Sequence, residues 1–223
     1  MKPLSKPARG AGIAASLFAA ALLAGCHSKT EPDMENFTST INSYLAERGH
    51  LCMAKYDWPI DVTTADNAMH SRDSVQMPVL EKLGLVKETD TTVERVTGED
   101  GAKTTLQAHR YELTDEGQKY YIHKPVVVAT ASQSVTHPAD FCVATLTLDK
   151  VVGWDAPQTQ DGTTKTSVLF TYKIDPAPWT QDADFRRAFP MVERVVEGAG
   201  TMQLREGVRL TSDGWVAEEF FQR

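Results

Sequence analysis

The chain has 223 residues, of which 41% are hydrophobic and 24% are charged, so its length suits one large domain or two small ones and its composition argues against wholesale disorder. Its 30 acidic residues outnumber its 23 basic ones. The resulting net charge of −7 argues against nucleic-acid binding, because phosphate contacts need clustered cations. Three cysteines are too few for a disulfide-dense scaffold.

The first 25 residues have the layout of a secretory signal peptide. Lys2, Lys6 and Arg9 give a positively charged start, and residues 11–25 are apolar, small and uncharged. The apolar run is too short to span a bilayer comfortably. We therefore expect residues 1–25 to be removed from the mature protein.

Residues 23–26 read Leu-Ala-Gly-Cys and resemble the lipobox of bacterial lipoprotein precursors. In that family the cysteine thiol receives a diacylglycerol, and the signal peptidase cuts immediately before it. The resemblance implies that Cys26 is the lipid attachment site, carrying fatty acyl chains such as palmitate, and that the cleaved bond joins Gly25 to Cys26. An ordinary cleaved signal followed by a chance cysteine is the alternative.

A lipid at Cys26 would anchor the folded body to a membrane without any transmembrane helix. The next residue is His27, whereas an Asp at that place favours inner-membrane retention in enteric lipoproteins. The resemblance therefore implies a protein facing the periplasm from the outer membrane. Residues 26–34 are polar and are predicted to form a short tether.

Cys52 and Cys142 remain once Cys26 is assigned to the lipid. An exported protein meets an oxidising compartment, so this even pair predicts one disulfide, which would stabilise the fold by on the order of 4–5 kcal/mol. Two separate buried thiols are the alternative. Neither a Cys-x-x-Cys motif nor a clustered histidine pair is present, so we expect no metal site, and we expect no cofactor.

In the first half of the chain the apolar spacing predicts helices followed by a hairpin. Phe37, Ile41 and Leu45 recur at helical spacing and predict a helix over 33–48 that ends at Gly49. A strand is expected over 51–57, ending before Trp58, and loop or irregular helix over 63–73. A helix with Pro78 in its first turn is expected to end at Gly84. Strands over 86–97 and 103–113 are expected to follow, joined by a turn at 98–101.

The second half is predicted to contain long strands and one helix. Residues 141–154 and 167–175 read as strands, and an apolar stripe predicts a continuous helix over 182–197 that ends at Gly198. Strands over 202–210 and 215–221 follow. The fold class is therefore α+β, with antiparallel sheets and packed helices.

The chain is predicted to form two α+β subdomains, 35–130 and 131–223. Short motifs recur in the same order in both, with 51–52 matching 141–142, 78–82 matching 190–194, and 113–117 matching 210–214. A weak duplication would place the two cysteines at equivalent positions, where they can meet across a pseudo-twofold axis. Coincidence among short motifs is the alternative.

Residues 79–86 followed by a hairpin and by residues 109–117 resemble a winged-helix regulator. In that family a recognition helix ends in a Gly-Leu-Val turn, a β-wing follows, and a Leu-Thr-x-x-Gly turn opens the next helix. The candidate helix offers one Lys and one Glu, and the wing is acidic, so we expect shared packing geometry without nucleic-acid binding.

No catalytic motif stands out, so no catalytic residue is assigned and the chain is more simply interpreted as a non-enzyme. His137 and Asp140 bring an imidazole near a carboxylate, which could serve as a base and its orienting group, but we favour a polar turn between the subdomains. The four tryptophans, Trp58, Trp154, Trp179 and Trp215, read as core fillers rather than a pocket lining.

Three hypotheses follow from the sequence. The first is a lipid-anchored periplasmic protein with a non-catalytic binding or assembly role, whose partner in the envelope is unknown. The second is an enzyme acting on envelope material through residues distant in sequence. The third and least favoured is a cytoplasmic winged-helix DNA binder.

Overall fold

The computed structural model describes residues 28–96 and 101–221. The predicted signal peptide, the cleavage bond between Gly25 and Cys26 and most of the turn at 98–101 lie outside the described residues. The helices are α1 (Met34–Arg48), α2 (Thr64–Ala68), α3 (Arg72–Lys82), α4 (Asp115–Gln118), α5 (Ala183–Ala188) and α6 (Pro190–Glu197), with 3-10 turns at Pro178–Gln181 and Glu218–Phe221.

The strands form three antiparallel sheets, which confirms the predicted α+β class. They are β1 (His50–Cys52), β2 (Ile60–Thr63), β3 (Val86–Val96), β4 (Lys103–Leu113), β5 (Tyr121–Ile122), β6 (Val126–Ala129), β7 (Ser134–His137), β8 (Asp140–Trp154), β9 (Gln158–Gln160), β10 (Thr163–Pro176), β11 (Leu204–Thr211) and β12 (Gly214–Ala217).

The largest sheet has seven strands and is built around β8 and β10. Its order is β1-β8-β10-β11-β12, with β5 also pairing with β8 and β9 with β10. Helix α1 packs on this sheet because Phe37, Ile41 and Leu45 lie on one helical face and are buried against strand residues such as Phe170 and Tyr172. The Asp33 side chain caps the first turn of α1, and the N–H of Gly49 closes its last.

A second hydrophobic cluster lies between the three-stranded sheet β2-β4-β3 and the helices. Met77 and Leu80 of α3 pack with Tyr111 of β4, and Phe141 of β8 and Phe185 of α5 complete the cluster. Helix α3 and the hairpin β3–β4 therefore follow one another in the order that the winged-helix resemblance implies. Thr114 then caps α4, where that resemblance places the start of the next helix.

The two predicted subdomains are interleaved in the structure. Helix α1 and strand β1, from the first half, pack and pair with the sheet of the second half. Helix α5, from the second half, contributes Phe185 to the cluster of the first. The predicted boundary at 130/131 is thus not a boundary between hydrophobic cores, because each core draws residues from both halves.

The matched motifs of the predicted duplication do not have matching structures. Residues 113–117 end β4 and start α4, with Thr114 Oγ1 accepting from the N–H of Gly117. Residues 210–214 instead form the tight turn between β11 and β12, where Gly214 has a φ of +118°. The same Leu-Thr-x-x-Gly motif therefore adopts two different local structures.

Two prolines change the predicted helices. Pro78 lies inside α3, which starts earlier than expected because the Ser71 side chain caps it. Pro190 divides the predicted helix 182–197 into α5 and α6. A proline restricts the backbone before it, and Phe189 accordingly leaves the helical region at φ −127° and ψ 58°.

Candidate functional site

The lipid attachment site predicted at Cys26 lies outside the described residues, but the residues just after it contact the body. The Asn36 side chain donates to the carbonyl oxygens of Ser28 and Glu31 at 2.8 and 3.0 Å. The indole N–H of Trp215 donates to Thr30 and Glu31 carbonyls at 3.2 and 3.1 Å. Residues 28–33, predicted as part of a short tether, are therefore hydrogen-bonded to the N-terminal end of α1 and to β12.

The structure brings Cys52 and Cys142 to disulfide distance, as the cysteine count predicts. The two residues pair directly across the antiparallel strands β1 and β8, and their sulfurs lie 1.99 Å apart. The link spans 90 residues of sequence and joins the end of β1 to the start of β8, its neighbour in the largest sheet.

The sequence raises His137 as a possible base and Asp140 as the acid that would orient it. In the structure the two side chains contact different partners. The His137 ring stacks on Tyr56 with centroids 4.3 Å apart, and its Nδ1 lies 3.0 Å from Asp57 Oδ2. Asp140 turns inward, where its Oδ1 accepts from the backbone N–H groups of Lys55 and Phe141 at 2.8 and 2.7 Å. These contacts make Asp140 a structural group that holds a loop to β8.

A buried lysine beside Asp140 was not anticipated from the sequence. The Lys55 side chain is only 1% exposed, and its Nζ lies 2.5 Å from Asp73 Oδ1 at the start of α3. Burial lowers the pKa of Lys55 and raises the pKa of Asp140. Perturbed groups of this kind accompany active sites and structural ion pairs alike. Here Asp140 accepts from backbone amides and Lys55 pairs with the Asp73 carboxylate of α3, so we assign both residues a structural role.

The tryptophans pack in the hydrophobic clusters, as the sequence predicts. Trp215 is 7% exposed and lies 5.1 Å from Phe37, ring centroid to ring centroid. Trp154 packs on the same phenylalanine, and Trp58 and Trp179 pack against Phe141. The indoles thus fill the two cores.

A cleft of about 750 Å³ lies between the hairpin β6–β7 and the end of the largest sheet. Neither strand of this hairpin is among the elements predicted from the sequence. One wall is apolar and includes Val126, Val127 and Ala129, and Val127 is 60% exposed. The hairpin pairs only with itself among the described strands.

The opposite wall of the cleft carries three carboxylates. Glu218 pairs with Lys165 at 2.6 Å, and Glu219 pairs with Arg48 at 3.2 Å. Glu206 is half-buried, and burial raises its pKa, as does the neighbouring Glu219. The cleft therefore offers an apolar strip facing a wall of carboxylates that are largely paired.

Glu88, Asp90 and His109 form a cluster of metal-ligand type on the hairpin β3–β4. Their nearest nitrogen and oxygen atoms all lie within 4.8 Å of one another. Spacing along the sequence predicts no such group, because the histidine is on the opposite strand.

The basic residues of the wing are each paired with a carboxylate. Lys87 contacts Glu112, Lys103 contacts Glu94, and Arg95 contacts Asp66, with nitrogen–oxygen distances of 3.1, 3.0 and 3.3 Å. The cations of the wing therefore lie beside carboxylates at the surface of the hairpin.

Among residues 28–96 and 101–221, no helix combines the length and apolar character needed to cross a bilayer. No protein-family model, curated protein or solved structure matches the chain.

Proposed function

We propose that this chain is a bacterial lipoprotein, anchored through Cys26 at the periplasmic face of the outer membrane, with a non-catalytic binding role. The observation that carries the proposal is the pairing of Cys52 with Cys142 at disulfide distance. Disulfides persist in oxidising compartments such as the periplasm and are rare in the cytosol. The cysteine pair and the Leu-Ala-Gly-Cys motif therefore support the same location from independent residues.

The contacts of residues 28–33 support a short anchor. Only His27 separates Cys26 from Ser28, whose carbonyl is held by Asn36. Two residues of extended chain span at most about 7 Å. In this proposal the folded body is therefore held close to the bilayer at the N-terminal end of α1, rather than by a long flexible linker.

The cleft beside the hairpin β6–β7 is the surface proposed to bind the partner. Arg48, at the C-terminal end of α1, lines this cleft, and the anchored end lies at Met34. A 15-residue helix separates these two ends by about 21 Å. The bilayer that holds one end of α1 therefore leaves the other end free to meet a protein in the periplasm.

Metabolic labelling with a clickable fatty acid tests the anchor. The wild-type protein should take up the label and fractionate with membranes, and Cys26→Ala should lose both properties. Cys52→Ala is the matched control, because it removes a different cysteine, and it should remain labelled. Unchanged labelling of Cys26→Ala would contradict the anchor.

Photocrosslinking in cells tests the binding surface. Benzoylphenylalanine in place of Val127, on the cleft wall, should give discrete crosslinked products. The same group in place of Val152, which is 43% exposed on β8, is the matched control and should not give those products. Identical products from both positions, or none from Val127, would contradict a binding role for the cleft.

A further inference from the structure

The face shared by β3 and β4 places three ligand side chains side by side. Residues two apart on a strand point to the same face, so Glu88 and Asp90 are neighbours on β3. His109 of β4 pairs directly opposite Asp90, and Tyr111 pairs opposite Glu88. The antiparallel register therefore assembles one imidazole and two carboxylates from residues distant in sequence.

The distances within this cluster suit a single small cation. His109 Nδ1 lies 2.7 Å from Glu88 Oε1 and 3.4 Å from Asp90 Oδ1. Nitrogen and oxygen ligands each bound at about 2.1 Å in a tetrahedral zinc site lie roughly 3.4 Å apart. Asp90 already has this separation from the imidazole, and a shift of less than about 1 Å brings Glu88 to it.

The imidazole nitrogen that faces the carboxylates is buried and lacks a hydrogen bond of acceptable geometry. Glu88 Oε1 is at contact distance from this nitrogen but lies away from the direction in which a ring N–H would point. A buried imidazole nitrogen that lacks a hydrogen-bond partner and is flanked by two carboxylate oxygens is an arrangement that a bound cation would satisfy.

The cluster also has a supporting partner of the kind that orients metal ligands. Tyr111 is 3% exposed, and its hydroxyl donates to Glu88 Oε2 at 2.7 Å, which leaves Oε1 turned toward His109. The backbone N–H of Glu88 is bonded in turn to the Glu81 side chain. Hydrogen bonds of this type fix ligand orientation in metal sites.

We propose that Glu88, Asp90 and His109 bind a divalent transition-metal ion of the zinc type on the hairpin β3–β4. Mixed imidazole and carboxylate ligands suit Zn²⁺ better than Mg²⁺ or Ca²⁺, which prefer oxygen alone. Three protein ligands leave a fourth position open to water or to a group from a partner. The Asp90 side chain is 93% exposed, so this ligand can be reached from solvent. The inference does not depend on the proposed lipid anchor or on the cleft.

Titration with Zn²⁺ alone tests the site, using metal-free, oxidised full-length protein that carries Cys26→Ala so that its thiol cannot bind metal. This protein should bind one equivalent of Zn²⁺. Adding His109→Gln or Asp90→Asn should weaken the Kd at least about tenfold, and Tyr111→Phe, which keeps the ring, should weaken it by a smaller factor. Circular dichroism of each variant checks that the fold is retained.

Glu94→Gln and His123→Gln are the matched controls, because they make the same chemical changes on β3 and at another histidine. Both should keep the wild-type Kd. Co²⁺ in place of Zn²⁺ should give the strong visible absorption of a tetrahedral site, and His109→Gln should abolish it. Zn²⁺ binding that His109→Gln and Asp90→Asn leave unchanged, or no binding at all, would show that the cluster is only an ion pair.

Discussion

Reduction of the bond between Cys52 and Cys142 should cost the fold a large part of its stability. The bond closes a loop of about 90 residues. The chain-entropy relation for a loop of that size gives roughly 15.5 cal/mol/K, or about 4.6 kcal/mol at 25 °C. For a protein of this length an m-value of about 2 kcal/mol/M in urea converts the loss to a midpoint shift of roughly 2 M.

The assay is urea unfolding followed by tryptophan fluorescence, with and without reductant, in protein carrying Cys26→Ala so that only the pair remains. Adding Cys52→Ala and Cys142→Ala gives the control, which should unfold near the midpoint of the reduced protein and should not respond to reductant. The reasoning would be refuted if thiol titration showed complete reduction while the midpoint moved by less than about 0.3 M.

Three further outcomes follow from single residues. Asp140→Ala leaves the buried N–H groups of Lys55 and Phe141 without their acceptor and should cost about 3 kcal/mol in urea unfolding, whereas Asp140→Asn keeps an oxygen there and should cost much less. Burial raises the pKa of Asp140 above its ordinary 3.8, so the folded state releases this proton at a higher pH than the unfolded chain does. The stability of the wild-type protein relative to Asp140→Asn should therefore fall as the pH rises from 3.8 through the raised pKa. A stability difference that is constant with pH would contradict this. Phe37→Ala should cost about 3–5 kcal/mol, because the ring is 0% exposed between two tryptophans, while Met34→Ala at a 49% exposed position of the same helix should stay within about 0.5 kcal/mol; equal effects of the two changes would contradict the assigned packing of α1.

Elements marked by local signals were predictable from the sequence. Helix α1 was placed within one residue, because a capping Asp33, an apolar stripe and a terminal Gly49 all agree. Strand β4 was predicted at its observed bounds and β3 within one residue. The short strands β2, β6 and β7 were missed, since four residues are too few for an alternating pattern to stand out.

The association of these elements was less predictable. Nothing in residues 50–52 indicates that they pair with β8 rather than with a strand of their own half. An apolar residue indicates that its position is buried, but its identity does not indicate which sheet covers that position. The interleaving of the two cores therefore follows from tertiary packing, which outweighs the order of motifs along the chain.

The candidate sites likewise differ in whether the sequence predicts them. Once Cys26 is assigned to the lipid, only Cys52 and Cys142 remain to form a pair. The cluster of Glu88, Asp90 and His109 does not show in the spacing of residues along the chain, because its histidine lies on the opposite strand. The predicted turn at 98–101 contains the signal that would have found it, because residues equally far from the centre of a tight hairpin face each other, and Asp90 and His109 are such a pair.

The central claim is that Cys26 carries lipid and that the folded body lies outside the cytosol. Intact-mass and N-terminal peptide analysis of the native protein, extracted from membranes with detergent, tests this claim most directly. We expect a chain that begins at Cys26 and carries the mass of a diacylglycerol with its acyl chains. An uncleaved chain that begins at Met1 and lacks acyl groups would contradict it.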